Sequence, residues 1–149
     1  GTRAMIRARG ANRILIAAFS NATAVFQRLA AEEQVHLLCA GTRAQVGRDD
    51  VLLAGMLVVR LEQRDGLPYE ENDRAIEARE TWLRAFSAAE ALGDRPLEPQ
   101  RLARELQSSP GGRNLAAIGL EGDILMAAHI DLHRIVPRLD GQTMRITLS

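Results

Sequence analysis

The chain contains no lysine; all nineteen basic residues are Arg. That absence excludes Schiff-base chemistry, a P-loop Lys and a Lys general base from these residues. Fixed positive charge must come from Arg, helix N-termini or a metal. Cys39 is the single cysteine, which excludes an internal disulfide and a cysteine cluster for zinc and fits a reducing cytoplasm. Aromatics are only 3% of residues and the formal net charge is zero. The chain therefore lacks both the stacking platform and the excess positive footprint of a nucleic-acid binder. No apolar run approaches the roughly 18 residues of a membrane span, and the N-terminus lacks a secretory pattern. The expectation is a soluble, cytoplasmic protein with neither nucleic acid nor membrane as partner. Its 149 residues suffice for one domain with a real core.

Two hydrophobic periods alternate along the first half. Residues 2–9 set Ala4, Met5 and Ala8 on one side and Arg3, Arg7 and Arg9 on the other, which predicts a helix stopped by Gly10. The continuous apolar run Ile14-Leu15-Ile16-Ala17-Ala18-Phe19 predicts a strand covered on both faces, and residues 35–40 repeat that signal. Between them, Ser20 stands before a helix carrying Ala24, Val25, Leu29 and Ala30. Residues 49–64 form a stronger helical pattern with a broad apolar surface. Such alternation predicts an α/β fold, a mainly parallel sheet with helices on both faces. Residues 63–72 gather Gly, Pro and charge and suit a surface connection. Further helices are expected over 73–91, 100–106, 114–118 and 124–130, with terminal strands over 134–136 and 144–148.

In such a sheet, ligands bind where strands lead into helix N-termini. Three loops answer to that description: Gly1-Thr2-Arg3, Ser20-Asn21-Ala22-Thr23, and Gly41-Thr42-Arg43 leading through Gly47 to Asp49-Asp50. Each exposed helix start favours an anion by about 0.3–1 kcal/mol. Each also has a structural explanation. Ser20 can be a plain N-cap, Asn21 can satisfy loop backbone, and Gly41 can serve a tight turn. Asp49 and Asp50 benefit from the macrodipole, and one of them could hold Mg²⁺. Arg3 and Arg113 are the basic residues best placed for anions. Arg113 follows Ser108-Ser109-Pro110-Gly111-Gly112, a stretch expected to be flexible enough for backbone to approach a ligand. Asp123 stands at another helix start, as cap or ligand. His129 and His133 flank Asp131 at helical spacing, but the zincin Glu is missing and Pro137 follows soon after, which disfavours a metal. His36 reads as structural, and Cys39 as a buried thiol.

In their order along the chain, these motifs resemble the 2-phosphosulfolactate phosphatase family. Gly1-Thr2-Arg3-Ala4 is similar to the tail of the family's T-T-N-G-T-[RK]-A segment. Ser20-Asn21-Ala22, Cys39-Ala40-Gly41, Asp49-Asp50, Ala54-Gly55, Asp73-Arg74-Ala75, Gly112-Arg113-Asn114-Leu115, Gly119, Asp123 and Val136-Pro137 follow. The resemblance implies a Mg²⁺-dependent phosphatase that converts 2-phospho-3-sulfolactate to 3-sulfolactate and phosphate, a step toward coenzyme M and in sulfolactate metabolism. It implies a two-part α/β protein with its active site between the parts, of which this chain is the carboxyl-terminal portion. The family's amino-terminal part carries a D-x-L-R-A-T-like segment and a G-E segment, neither present here. The abrupt start at Gly1 then reads as the end of a phosphate loop whose preceding strand lies upstream. On this reading Gly1, Thr2, Arg3, Ser20, Asn21, Gly41 and Arg113 bind the phosphorylated sulfonate, while Asp50 and Asp123 serve catalysis or the metal. One rival is a noncatalytic anion- or nucleotide-binding α/β domain, although no complete G-x-G-x-x-G is present. Another is a structural interaction domain or homo-oligomer that buries residues 24–29 or 51–61 in a subunit contact.

Overall fold

A computed structural model describes residues 1–41, 45–64 and 69–148. The described elements are α1 (Thr2–Ala8), a 3-10 turn (Phe19–Asn21), α2 (Ala22–Leu29), α3 (Arg48–Glu62), α4 (Asp73–Ala85), α5 (Ala88–Ala91), α6 (Pro99–Gln107), α7 (Pro110–Ala117), α8 (Glu121–Ala127), β1 (Pro137–Leu139) and β2 (Ile146–Leu148). The architecture is α/β, with helices supplying most of the ordered backbone.

The core is built on α3 and α4. Leu52, Met56 and Val59 of α3 pack with Trp82 of α4, Leu102 and Leu106 of α6, and Ile124 of α8. Burying side chains of this size stabilises by about 1.5–3 kcal/mol each. Gly55 permits the close crossing of α3 and α4, since a Cβ there would lie 2.1 Å from the Ala78 carbonyl oxygen. Trp82 stacks on Phe19, at 6.3 Å between ring centroids, and meets Phe86 tilted by 56° at 4.5 Å. Its indole N–H donates to the Ala91 carbonyl at 3.0 Å. Residues 51–61, one of the two faces that the rival interaction-domain reading would bury in a subunit contact, are thus largely spent on the chain's own core. α1 is the opposite case and contains no buried residue.

The helix expected over 73–91 is broken. Phe86 is extended, with φ −129 and ψ 159, and α5 restarts after Ser87. There the Ser87 N–H and hydroxyl both donate to Glu90 Oε2, at 3.2 and 2.6 Å. Ser87-Ala88-Ala89-Glu90 is an S-x-x-E start signal, and the indole bond to Ala91 holds the restarted turn against Trp82.

The expected parallel sheet is not what forms. Among the described residues the sheet is the antiparallel pair β1–β2, in register Pro137↔Leu148, Arg138↔Thr147 and Leu139↔Ile146. The predicted strand over 14–19 contributes only an antiparallel bridge, Leu15↔Arg138. Ile16 N–H donates to Pro137 O at 2.9 Å, and Leu139 N–H to Ile14 O at 3.0 Å. Residues 35–39 alternate half-buried Val35, Leu37 and Cys39 with exposed His36 and Leu38, as a strand does. Yet they make no backbone hydrogen bond among the described residues. The apolar pattern is present, but among the described residues no neighbouring strand supplies the complementary N–H and C=O groups.

Candidate functional site

Gly41 and Asp50 form a joined unit. Gly41 adopts a left-handed φ of +67, and a Cβ there would lie 2.7 Å from the Gln45 carbonyl oxygen, so the turn requires glycine. Its N–H donates to Asp50 Oδ2 at 2.8 Å, and the Ala40 N–H to Oδ1 at 3.4 Å. The Asp50 carboxylate, in the first turn of α3, thereby fastens the loop to a helix start whose dipole favours it. Thr42 and Arg43 lie outside the described residues. Burial, then the Asp50 and Asp49 carboxylates, raise the Cys39 thiol pKa. A protonated thiol is a poor nucleophile, in keeping with a structural Cys39.

Ser20 and Asn21 also lie together, in unlike roles. Asn21 is buried. Its Oδ1 accepts the Ala18 N–H at 2.8 Å, and its Nδ2 donates to Ile16 O at 3.1 Å and Ile135 O at 3.2 Å. This amide ties the 3-10 turn to residues 14–18 and to the segment entering β1. Ser20 is half-buried and does not cap α2; its carbonyl accepts the His133 N–H at 2.7 Å. Its hydroxyl bonds to no other residue among those described.

The start of α2 is held from the far end of the chain. Asp131 accepts both the Thr23 N–H and the Thr23 hydroxyl, each at 2.6 Å, and Arg60 Nη1 donates to Thr23 Oγ1 at 2.9 Å. Burial lowers the Arg60 guanidinium pKa from its ordinary value, and Asp131 opposes that shift. Asp131 between its two histidines is thus a capping residue, with a left-handed φ of 61. Among the described residues no group of three or more His, Cys, Asp or Glu could hold a metal. This Thr23–Arg60–Asp131 network was missed in the sequence, where no local spacing connects its members.

The remaining candidates stand at helix starts. Gly1, Thr2 and Arg3 are exposed at the beginning of α1, and Arg3 has no ion-pair partner among the described residues. The stretch before Arg113 is not loose. Pro110 opens α7, Ser109 Oγ accepts the Gly112 N–H at 2.9 Å, and Gly112 packs so closely on α6 that a Cβ would lie 2.2 Å from Leu106 O. Arg113 itself is exposed and donates to the Ser108 carbonyl. Asp123 is exposed in the first turn of α8, and its carboxylate bonds to no other described residue. No hydrogen bond or ion pair joins Arg3, Arg113, Asp50 and Asp123 to one another among the described residues. A groove of about 610 Å³ lies away from all of them, between the end of α1 and the β1–β2 hairpin.

Comparison with known proteins adds a lineage to this geometry. The family model described as 2-phosphosulpholactate phosphatase matches residues 1–142. A probable 2-phosphosulfolactate phosphatase of Symbiobacterium thermophilum is 36% identical over 138 residues, covering 92% of this chain and 53% of the relative. Proteins of the same description from Thermotoga petrophila and Deinococcus radiodurans are 31% and 32% identical, over 93% of this chain and 53% and 52% of their own lengths. The chain spans about half the length of the curated relatives it matches. No helix among the described residues is long and apolar enough to cross a membrane.

Proposed function

The chain belongs to the 2-phosphosulfolactate phosphatase family, and from that premise we propose that it supplies part of a phosphatase acting on 2-phospho-3-sulfolactate. The observation that carries the reading is the family match over residues 1–142, which embraces every candidate loop.

Hydrolysis of a phosphate monoester is among the slowest uncatalysed reactions, and its catalysis rests on positioned donors and positive charge around the transferring phosphoryl group. In the proposed site Arg3 and Arg113, whose forks suit phosphate and sulfonate oxygens, bind the two anionic ends of the substrate. The Ser20 hydroxyl and the backbone N–H groups of Gly1, Thr2 and Arg3 donate to phosphoryl oxygens. Asn21 acts as a positioning residue, because its amide is already bonded to three backbone groups. Asp50 holds Gly41 in the same sense, and Asp123 orients the attacking water or binds the metal.

Mg²⁺ prefers hard oxygen ligands and keeps several waters, binding through one or two carboxylates plus substrate phosphate. Asp123, exposed and unbonded, fits that chemistry; Asp50 has both oxygens engaged by amides. The donor set is right in kind and short in number, so further oxygen ligands would come from the part of the relatives that this chain does not span. When bound, the ion would offset charge on the phosphoryl oxygens. The same absent part is proposed to pair with residues 15–17 and 35–39. We place the protein in the cytoplasm, where its single thiol would stay reduced.

The test joins this chain to the unmatched part of the Symbiobacterium thermophilum relative. Phosphate release from 2-phosphosulfolactate is then followed with and without Mg²⁺. Release that depends on Mg²⁺ and falls about 100-fold or more in Arg113→Gln is expected. No release under either condition overturns the substrate assignment.

A further inference from the structure

We propose that the groove between the end of α1 and the β1–β2 hairpin is a second anion-binding site, for a small molecule carrying two anionic groups. Arg9, Arg138 and Arg145 line it together with Asn12, Thr143 and Thr147. None of the three arginines is ion-paired among the described residues, whereas seven other arginines are; Arg138 does interact with the charge of Asp140. One carboxylate, Asp140, also lines the groove, but it accepts the Gln142 and Thr143 N–H groups at 2.8 and 3.1 Å. Its hydrogen-bonding capacity is thus partly spent in the hairpin turn, and the lining keeps an excess of positive charge.

The walls are fixed by contacts independent of any ligand. Gly141 presses on the end of α1, where a Cβ would lie 2.5 Å from Arg9 O. The Leu139 N–H to Ile14 bond and the Leu15↔Arg138 bridge attach the hairpin to the segment after α1. Arg9 just after α1, Arg138 on β1 and Arg145 just before β2 therefore line one space, held by a sheet and a close backbone contact. A volume of about 610 Å³ falls in the range of small-molecule sites, roughly 300–1,000 Å³. Planar guanidinium forks match phosphate, sulfonate or carboxylate oxygens, and three of them around one space favour a ligand with two such groups over a single anion. Arg138 also lines a smaller cavity with Arg28 and with Arg13, the latter paired with Glu32. The site lies at the opposite end of α1 from Gly1–Arg3, about 10 Å away along a helix of this length.

The test uses the chain as it stands, with pyrophosphate and inorganic phosphate as probes in calorimetric titration. Pyrophosphate is expected to bind with one-to-one stoichiometry and more tightly than phosphate, and to weaken as salt rises. Arg138→Gln and Arg145→Gln should each weaken it about 10-fold to 100-fold, with circular dichroism unchanged because both side chains are exposed. Arg84→Gln, on α4 and outside the groove lining, should leave it unaltered. Absence of saturable pyrophosphate binding overturns the proposal. So does binding insensitive to both groove variants, or binding only of a poly-Glu peptide, which would make the groove a protein-docking surface.

Discussion

Gly55 sits where α3 and α4 cross, and its replacement by Ala measures how much of the core depends on that approach. The added Cβ would lie 2.1 Å from the Ala78 carbonyl oxygen, 2.7 Å from its carbon and 2.8 Å from Trp82 Cβ. Two of these atoms are backbone and cannot rotate away, so the helices must separate by about 1 Å to restore ordinary contact. Separation loosens Trp82 from Leu52, Met56 and Val59, the centre of the core. Ala is the better helix former by up to about 1 kcal/mol, whereas overpacking of this kind costs about 1–3 kcal/mol and at times more. The steric effect wins. Gly55→Ala should destabilise by about 1–3 kcal/mol and lower Tm by about 3–9 °C in a chain of this size, read by urea and thermal unfolding. Gly122→Ala is the matched control, since nothing lies within 4 Å of a Cβ there and the site is in α8. It should stabilise by a few tenths to about 1 kcal/mol. If Gly55→Ala melts at or above the parent while Gly122→Ala behaves as stated, the tight crossing is refuted.

Three further outcomes follow from single groups. Glu90 has its pKa lowered chiefly by the Ser87 hydroxyl, then by the Ser87 N–H and the Arg101 and Arg95 charges, against some desolvation. A lowered carboxylate stabilises above its unfolded pKa and loses that contribution as pH falls through the folded one. Glu90→Gln should therefore destabilise at neutral pH, and the gap from the parent should close in acid unfolding series. Asp50→Asn removes one charge that holds the Cys39 thiol up, so the pH profile of iodoacetamide labelling should shift downward; an unmoved profile would contradict the Asp50–Cys39 proximity. Asn21→Ala strands the Ala18 N–H and two carbonyls. It should cost about 2–3 kcal/mol, measured by urea unfolding, and an effect below about 0.5 kcal/mol would deny the amide its bracing role.

Helices were legible because their signals are local. The apolar spacing from Val51 to Leu61 and the opening Asp49-Asp50 place α3 to within a residue or two, and Pro99 sits where α6 begins, whereas α7, expected from Asn114, opens four residues earlier at Pro110. The break at Phe86 was missed because the apolar spacing continues across it, while Ser87-x-x-Glu90, the competing start signal, is only four residues long. Asn21 was legible only as a residue that satisfies loop backbone, not as the tie to Ile135, and the role of Asp131 was not legible. Their partners, Ile135 and Thr23, lie 114 and 108 residues away, and no periodicity reports on contacts at that distance. Gly41 and Asp50 are intermediate. Each was legible as a turn glycine or a first-turn acid, but the bond between them emerges only when the turn closes.

The strands carry a different lesson. A helix satisfies its own backbone, so an apolar stripe is enough to place it; a strand's hydrogen bonds belong to its neighbours. Among the described residues, 35–39 have the alternating burial of a strand and none of its pairing, whereas residues 14–16 are paired on the β1 side alone. The charge distribution obeys a similar logic. Formal neutrality counts acids and bases without saying where they meet. Arg13, Arg48, Arg74, Arg79, Arg84, Arg95 and Arg101 pair with carboxylates, so part of the acid content is neutralised locally. The arginines left over are not scattered evenly: Arg9, Arg138 and Arg145 converge on one groove, and Arg3 stands at the other end of α1. A zero net charge argues against an extended polyanion as partner, but it leaves room for compact anion sites, because local excess survives wherever the compensating carboxylates are engaged elsewhere.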